Sequence, residues 1–190
     1  MDTFLGILIL VLALLGLLWF FAPIATGIPW VPSGDRRIRR ALELAALQPG
    51  ETFVDLGCGD GRVLIAAARD FGARAVGIEV SPLHCLVARL RAQAAGVGQR
   101  VTIQWADFYR ADLGGADVVY QFGHSRFAGR LKDQLGRQLR PGARMVSINV
   151  DLPGWQPAAV DREELIFLYR MPPTPGDLTS YLMQADAETH

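Results

Sequence analysis

Lysine is nearly missing from this chain of 190 residues: Lys132 is the only one, against 18 arginines, a bias that reads as codon usage. Net charge is missing too, with 19 acidic and 19 basic residues, so no global basic field calls for a nucleic acid partner. Cysteine is confined to Cys58 and Cys85, without metal-ligand spacing, and His84, His124 and His190 form no cluster with them. These scarcities argue for a reducing compartment and against a metal site. Charge is also absent locally. Asp2 is the only charged residue among the first thirty, and every residue from Thr3 to Phe21 is apolar, glycine or threonine. As a helix this stretch would rise about 29 Å, near the hydrocarbon thickness of a bilayer. Trp19, Phe20 and Phe21 would form an aromatic belt at its far end, and Arg36, Arg37, Arg39 and Arg40 follow. The expectation is a single-pass transmembrane helix over 1–27 that contacts membrane lipid, with the remainder on the cytoplasmic side. The run has no basic start, as a cleaved signal peptide would. The arginines fit anionic lipid or a solvated helix face over Arg36 to Leu47.

The most informative segment is Phe53-Val54-Asp55-Leu56-Gly57-Cys58-Gly59-Asp60-Gly61-Arg62, an apolar strand that runs into three alternate glycines and then a helix. Without a Cβ, Gly57, Gly59 and Gly61 can take positive φ and admit a ligand close to the backbone, while the helix start at Arg62 points free N–H groups into the site. A dinucleotide turn reads G-x-G-x-x-G; here the third glycine falls one residue early, Arg62 takes its place, and Asp55 stands two residues before the first. That acid makes pyrophosphate a poor guest and suits a cation carrying an ammonium group. S-adenosylmethionine (SAM) is such a ligand. The competing reading is an ordinary glycine turn.

Apolar helical spacing over Val63 to Phe71 and a buried strand over Ala73 to Val80 complete a βαβ unit, with Glu79 placed to accept both ribose hydroxyls of an adenosine or to stand as a solvated strand-end acid. A helix over Pro82 to Ala95 and a strand over Val101 to Ala106 follow, the latter ending in Asp107. A strand over Ala116 to Phe122, a helix over Arg126 to Leu139 and a strand over Ala143 to Val150 extend the alternation. The pattern predicts a doubly wound α/β fold, mostly parallel, with the ligand at the carboxyl ends of the strands. Beyond Val150 the runs Glu164 to Arg170 and Leu178 to Gln184 predict an antiparallel hairpin. The division is 1–27 helix, 28–50 linker and helix, 51–190 catalytic domain.

The glycine segment resembles the first motif of the class I, seven-strand SAM methyltransferases. A more specific likeness lies in Pro29-Trp30-Val31-Pro32-Ser33, Val76-Gly77-Ile78-Glu79, Asp107-Phe108, Leu139-Arg140-Pro141-Gly142, Val146-Ser147 and Gly154-Trp155-Gln156-Pro157. Together they resemble the small protein-lysine methyltransferases that include the archaeal broad-specificity enzyme and the mitochondrial enzymes acting on an ATP synthase subunit and on the adenine nucleotide translocase. The resemblance implies a Rossmann-like seven-strand sheet. It also implies a cofactor site of Asp55, Gly57, Cys58, Gly59, Gly61, Glu79, Asp107 and Phe108, S-adenosylhomocysteine as product, and a protein lysine as acceptor. Asp107 would take the adenine amino group, and Phe108 or Tyr109 would pack on the ring or into the core.

Methyl transfer from a sulfonium is an in-line displacement that needs alignment and a neutral amine. Tyr120, Gln121, His124 and Asn149, in the loops after the fourth and fifth strands, are candidates to orient or deprotonate that amine. Tyr120 equally fits core, His124 an exposed loop and Asn149 a backbone hydrogen bond. The reading is a membrane-anchored methyltransferase acting on a lysine of a membrane or membrane-associated protein. A small-molecule or lipid methyltransferase, or a silent SAM-binding scaffold, are the alternatives.

Overall fold

A computed structural model describes residues 2–26, 34–123 and 125–187. It divides into two compact units, 1–32 and 33–190. The first contains α1 (Asp2–Thr26). Its side chains at 3–14 are exposed. Among the described residues no helix is long and apolar enough to cross a membrane. The single-pass anchor expected over 1–27, and the cytoplasmic placement inferred from it, are therefore withdrawn, and the lipid contact through that helix loses its support. The Pro-Trp-Val-Pro-Ser segment at 29–33 lies outside the described residues.

In the second unit, α2 (Asp35–Leu44) buries Ile38, Ala41 and Leu42. Three of its arginines, for which anionic lipid or a solvated face was expected, are engaged by protein: Arg36 pairs with Glu163 at 2.9 Å, Arg37 with Glu164 at 3.1 Å and Arg40 with Asp161 at 2.9 Å. The sheet contains β1 (Thr52–Leu56), β2 (Arg74–Glu79), β3 (Val101–Trp105), β4 (Val118–Phe122) and β5 (Arg144–Ile148), all parallel. Short β6 (Trp155–Gln156) stands apart, and β7 (Ala159–Asp161) and β8 (Ile166–Arg170) close the sheet antiparallel, giving the order β3-β2-β1-β4-β5-β8-β7. The helices α3 (Arg62–Asp70) and α4 (Pro82–Ala94) join α2 over one face, where Leu42, Leu64 and Ala88 meet Phe53 and Tyr120. The helix α5 (Ser125–Gln138) covers the other, packing Leu131 and Leu135 against Val54 and Val119. Both faces are covered, which is why β1, β4 and β5 are buried along almost their whole length.

The closing hairpin differs from expectation. Its first strand is β7, and the turn to β8 holds Glu163 and Glu164. The run Leu178–Ala187 is a helix, α6, with the Asp177 carboxylate accepting the Ser180 N–H at 2.7 Å. Between β8 and α6, β9 (Thr174–Pro175) pairs with β6.

Candidate active site

The glycine loop leaves the carboxyl end of β1 where the strand order reverses, with β2 on one side and β4 on the other. Such a reversal opens a crevice at the strand ends. Gly57, Gly59 and Gly61 all take positive φ, 84°, 51° and 78°. At Gly61 the demand is double, since a Cβ would also lie 2.9 Å from the Ala88 Cβ on α4. Gly77 on β2 is the fourth glycine the loop needs: a Cβ there would come within 2.6 Å of the Cys58 Sγ and 2.5 Å of the Leu64 Cδ1.

The loop's N–H groups are turned inward. Gly57 and Cys58 donate to the Ile78 carbonyl at 2.8 and 3.2 Å, and Gly61 donates to the Cys58 carbonyl at 2.9 Å. Gly59 donates to the Glu79 carboxylate at 2.9 Å, and the Arg62 N–H reaches Asp60 at 3.3 Å. Of the free N–H groups expected at the helix start, that of Arg62 is therefore engaged by the protein. A phosphate cradle needs such donors, so the inward use of the Gly57, Cys58, Gly59 and Gly61 N–H groups fits a ligand without phosphate.

Asp55 is 3 % exposed, and what acts on its carboxyl is burial and neighbouring charge, with no hydrogen bond among the described residues. Burial, reinforced by the charges of Glu79 and Asp60, pushes its pKa up to about 8. A buried acid without a donor is costly unless something cationic meets it. Burial and the Asp55 and Glu79 charges likewise push the Cys58 thiol up, so it lines the loop as an inert, protonated side chain. Glu79, 8 % exposed, takes Gly59 on one oxygen and the Ser81 N–H, at 2.9 Å, on the other. Each carboxylate oxygen keeps a second lone pair.

The third strand ends beside these acids, with Trp105 in register with Glu79 and the Ala106 N–H donating to the Glu79 carbonyl at 3.0 Å. The exposed Asp107 accepts the Tyr109 N–H at 3.0 Å and opens a short 3-10 turn, Phe108–Arg110. Phe108 is half-buried against Tyr109, ring centroids 4.4 Å apart. Cys58 and Gly61 are thus joined by a hydrogen bond, as are Gly59 and Glu79, Asp55 is coupled to Glu79 by charge, and Asp107 and Phe108 stand at the next strand end.

The amine-side candidates separate. Tyr120 is 1 % exposed, in register with Asp55 and packed on Phe53 at 6.1 Å. Gln121 is buried at the end of β4. Asn149 is exposed just past β5, at φ 65°, and its N–H donates to the Leu165 carbonyl at 2.9 Å. His124 lies outside the described residues. Trp155 is buried against Tyr169, ring centroids 6.0 Å apart. Among the described residues no cluster of side chains could hold a metal.

Two features escaped the sequence reading. Asp60 is buried and binds Arg62 through its Nε, at 3.1 Å, and Arg91 of α4. Burial opposes ionisation, but the two guanidiniums outweigh it and lower the carboxyl's pKa. The acid-x-Arg pair was visible as a local signal; the partner thirty-one residues away was not. The second is Val80, an apolar residue 55 % exposed immediately after Glu79. Two clefts lie elsewhere. One of about 470 Å³ sits between α2 and the β7–β8 turn, and one of about 410 Å³ between α2, α3 and α4, lined by Arg39, Arg62, Arg69 and Arg91. The chemistry at the strand ends is the better guide, because buried acids and positive-φ glycines converge there.

The ANTKMT methyltransferase domain matches residues 55–159. The chain is 36% identical over 138 residues to the protein-lysine N-methyltransferase of Saccharolobus islandicus (strain REY15A), across 72% of this chain and 86% of that one. It is 36% identical over 138 residues to the adenine nucleotide translocase lysine N-methyltransferase of Mus musculus, across 73% and 60%. To the Homo sapiens lysine N-methyltransferase named for an ATP synthase subunit it is 31% identical, across 72% and 58%. It thus spans about three fifths of the length of these two mammalian relatives. Among solved structures, the RNA methyltransferase from Salinibacter ruber in complex with S-adenosylhomocysteine matches with a TM-score of 0.74 and 38% identity, over 78% of this chain and 99% of that chain. The fold is the Rossmann-like methyltransferase fold and the cofactor is S-adenosylmethionine. With the domain matched across most of the sheet and an archaeal relative this similar over most of its length, the chain belongs to the ANTKMT methyltransferase-domain family of SAM-dependent protein-lysine N-methyltransferases.

Proposed function

We propose that this chain transfers methyl groups from SAM to the side-chain amine of a lysine in another protein, through a catalytic domain over 51–190. The observation that carries the donor half is the buried, donorless Asp55, with Glu79 and Asp60 near it. Asp55 takes the ammonium group of the cofactor's methionine moiety. Glu79 accepts the ribose hydroxyls on its second lone pairs, Asp107 accepts from the adenine amino group, and Val80 and Phe108 flank the ring. Gly57, Cys58, Gly59 and Gly61 leave backbone-deep room beside them. When bound, SAM supplies an electrophilic methyl on a sulfonium.

The acceptor half rests on the relatives, whose names specify lysine. A lysine of pKa about 10.4 must arrive neutral, which a site dried by bound cofactor and carrying its positive sulfonium favours. Gln121 and Asn149, at the ends of β4 and β5, orient the amine, with His124 as a further candidate in the same loop. Tyr120, fully buried beside Asp55, supports the floor and does not meet the amine.

The test incubates the protein with methyl-labelled SAM and extract, then separates protein, RNA and lipid. Label in protein, lost with Asp55→Asn, supports the reading. Label in RNA would place the chain with the acceptor named for the Salinibacter protein. Label in lipid or a small molecule would move it to those classes, and cofactor binding without transfer would make it a scaffold.

A further inference from the structure

Outside α1, the described large apolar side chains that stand exposed are Leu165, Met183 and a group of five: Val80, Leu83, Leu86, Leu90 and Trp105. The five belong to one corner of the fold. Cys85, Ala88 and Ala92 turn the inner side of α4 into the core, so Leu83, Leu86 and Leu90 fall on its opposite side at steps of three and four. That spacing makes a narrow seam, the width one partner helix fills. Trp105 ends β3. By strand alternation it shares the side of the sheet taken by Val101 and Ile103, which pack with α4. Its indole Nε1–H donates to the Val80 carbonyl at 2.8 Å, so 68 % of the residue is held out in solvent in one place. A fixed, exposed tryptophan beside an apolar seam is the composition of an interface anchor.

Charge narrows the occupant. From Ser81 to Ala106 there is no acidic residue; Arg91 is paired with Asp60, which leaves Arg89 and Arg100 without an acid in the segment, in a chain whose charges balance as a whole. A second copy docked through the same face would bring arginines against arginines. Strand addition at the β3 edge is also guarded, since the Arg89 guanidinium covers the Ile103 carbonyl at 2.9 Å. A membrane-embedding face is broader than this seam.

We propose that the outer seam of α4, with Trp105 at its end, docks a helix of a partner protein whose apolar ridge is edged by carboxylates. The test uses the full chain with two synthetic amphipathic helices sharing one leucine ridge, one edged with glutamate and one with lysine, and with vesicles of phosphatidylglycerol and phosphatidylcholine. Titration calorimetry reads binding, and sedimentation reads self-association. The glutamate-edged helix binds at least about tenfold tighter than the lysine-edged one, and Leu86→Glu with Leu90→Glu loses about tenfold or more of that affinity. S-adenosylhomocysteine binding by the double variant stays unchanged, which shows that the fold is intact. Equal binding of both helices, no binding of the acidic one, or binding indifferent to the double substitution overturns the proposal. So does a dimer, or vesicle binding without peptide binding, that the double substitution abolishes.

Discussion

At the scale of single residues, Asp55 is the group that stability alone does not explain. Its pKa is near 3.8 in the unfolded chain and about 8 in the fold, so between those values the folded state holds the extra proton. Asp55 therefore contributes most to the stability of the cofactor-free protein below about pH 4, and that contribution is lost as pH rises towards 8. Binding a cation favours the ionised form and releases the proton. The affinity for S-adenosylhomocysteine should then rise between pH 6 and pH 8, by at most about tenfold per unit, as calorimetry in buffers of different ionisation enthalpy would show. Asp55→Asn should weaken that binding by about tenfold or more while the free protein melts no lower than wild type. An equal loss of binding and melting temperature would make Asp55 merely structural. Gly77→Ala is the steric counterpart. Its Cβ would press on Cys58 and Leu64, and overpacking of this kind costs about 1–3 kcal/mol, read as a lower denaturation midpoint together with weaker cofactor binding.

At the scale of elements, two sets of arginines stitch the chain together with very different weights. Arg36 and Glu163 pair on the surface, 72 % and 70 % exposed, and such pairs contribute under about 1 kcal/mol. Arg144 is buried, donates to the Ala45 carbonyl at 2.7 Å and the Ala46 carbonyl at 3.0 Å, and meets Glu51. Removing it strands a carboxylate and two carbonyls, at a cost of about 3 kcal/mol or more. Arg144→Met should lower the thermal midpoint several-fold more than Arg36→Ala; equal shifts would refute that ranking. Neither set was legible in the sequence, because the partners lie about a hundred residues apart. What was legible is the alternation itself: β1 to β5 and α3 to α5 fall close to their expected places because each carries its own periodicity and punctuation. The C-terminal run misled. Leu178, Tyr181 and Leu182 repeat at three and four, and Asp177 caps the Ser180 N–H, so the helix signal was present but overshadowed by the prolines before it. The strand β7, three half-buried residues, is too short to show alternation at all.

At the scale of the whole molecule, the donor site was readable because cofactor chemistry is concentrated in one loop and two strand-end acids. The acceptor side was not, because its candidates sit at the ends of β4 and β5 without a comparable motif: Tyr120 is buried, and Asn149 is exposed in a turn at positive φ. The scarcity of lysine has a use here. Lys132 donates its Nζ to the Pro153 carbonyl at 2.7 Å, so self-methylation is confined to that amine or the N-terminus, and mass spectrometry should find methyl groups nowhere else on the enzyme. Label on any other protein then reports true turnover. The most direct measurement is total acid hydrolysis of the labelled product, followed by separation of its methylated components. The account predicts ε-N-methylated lysine, absent when Asp55 is asparagine. Methylated nucleosides, or a methylated residue other than lysine, would contradict it.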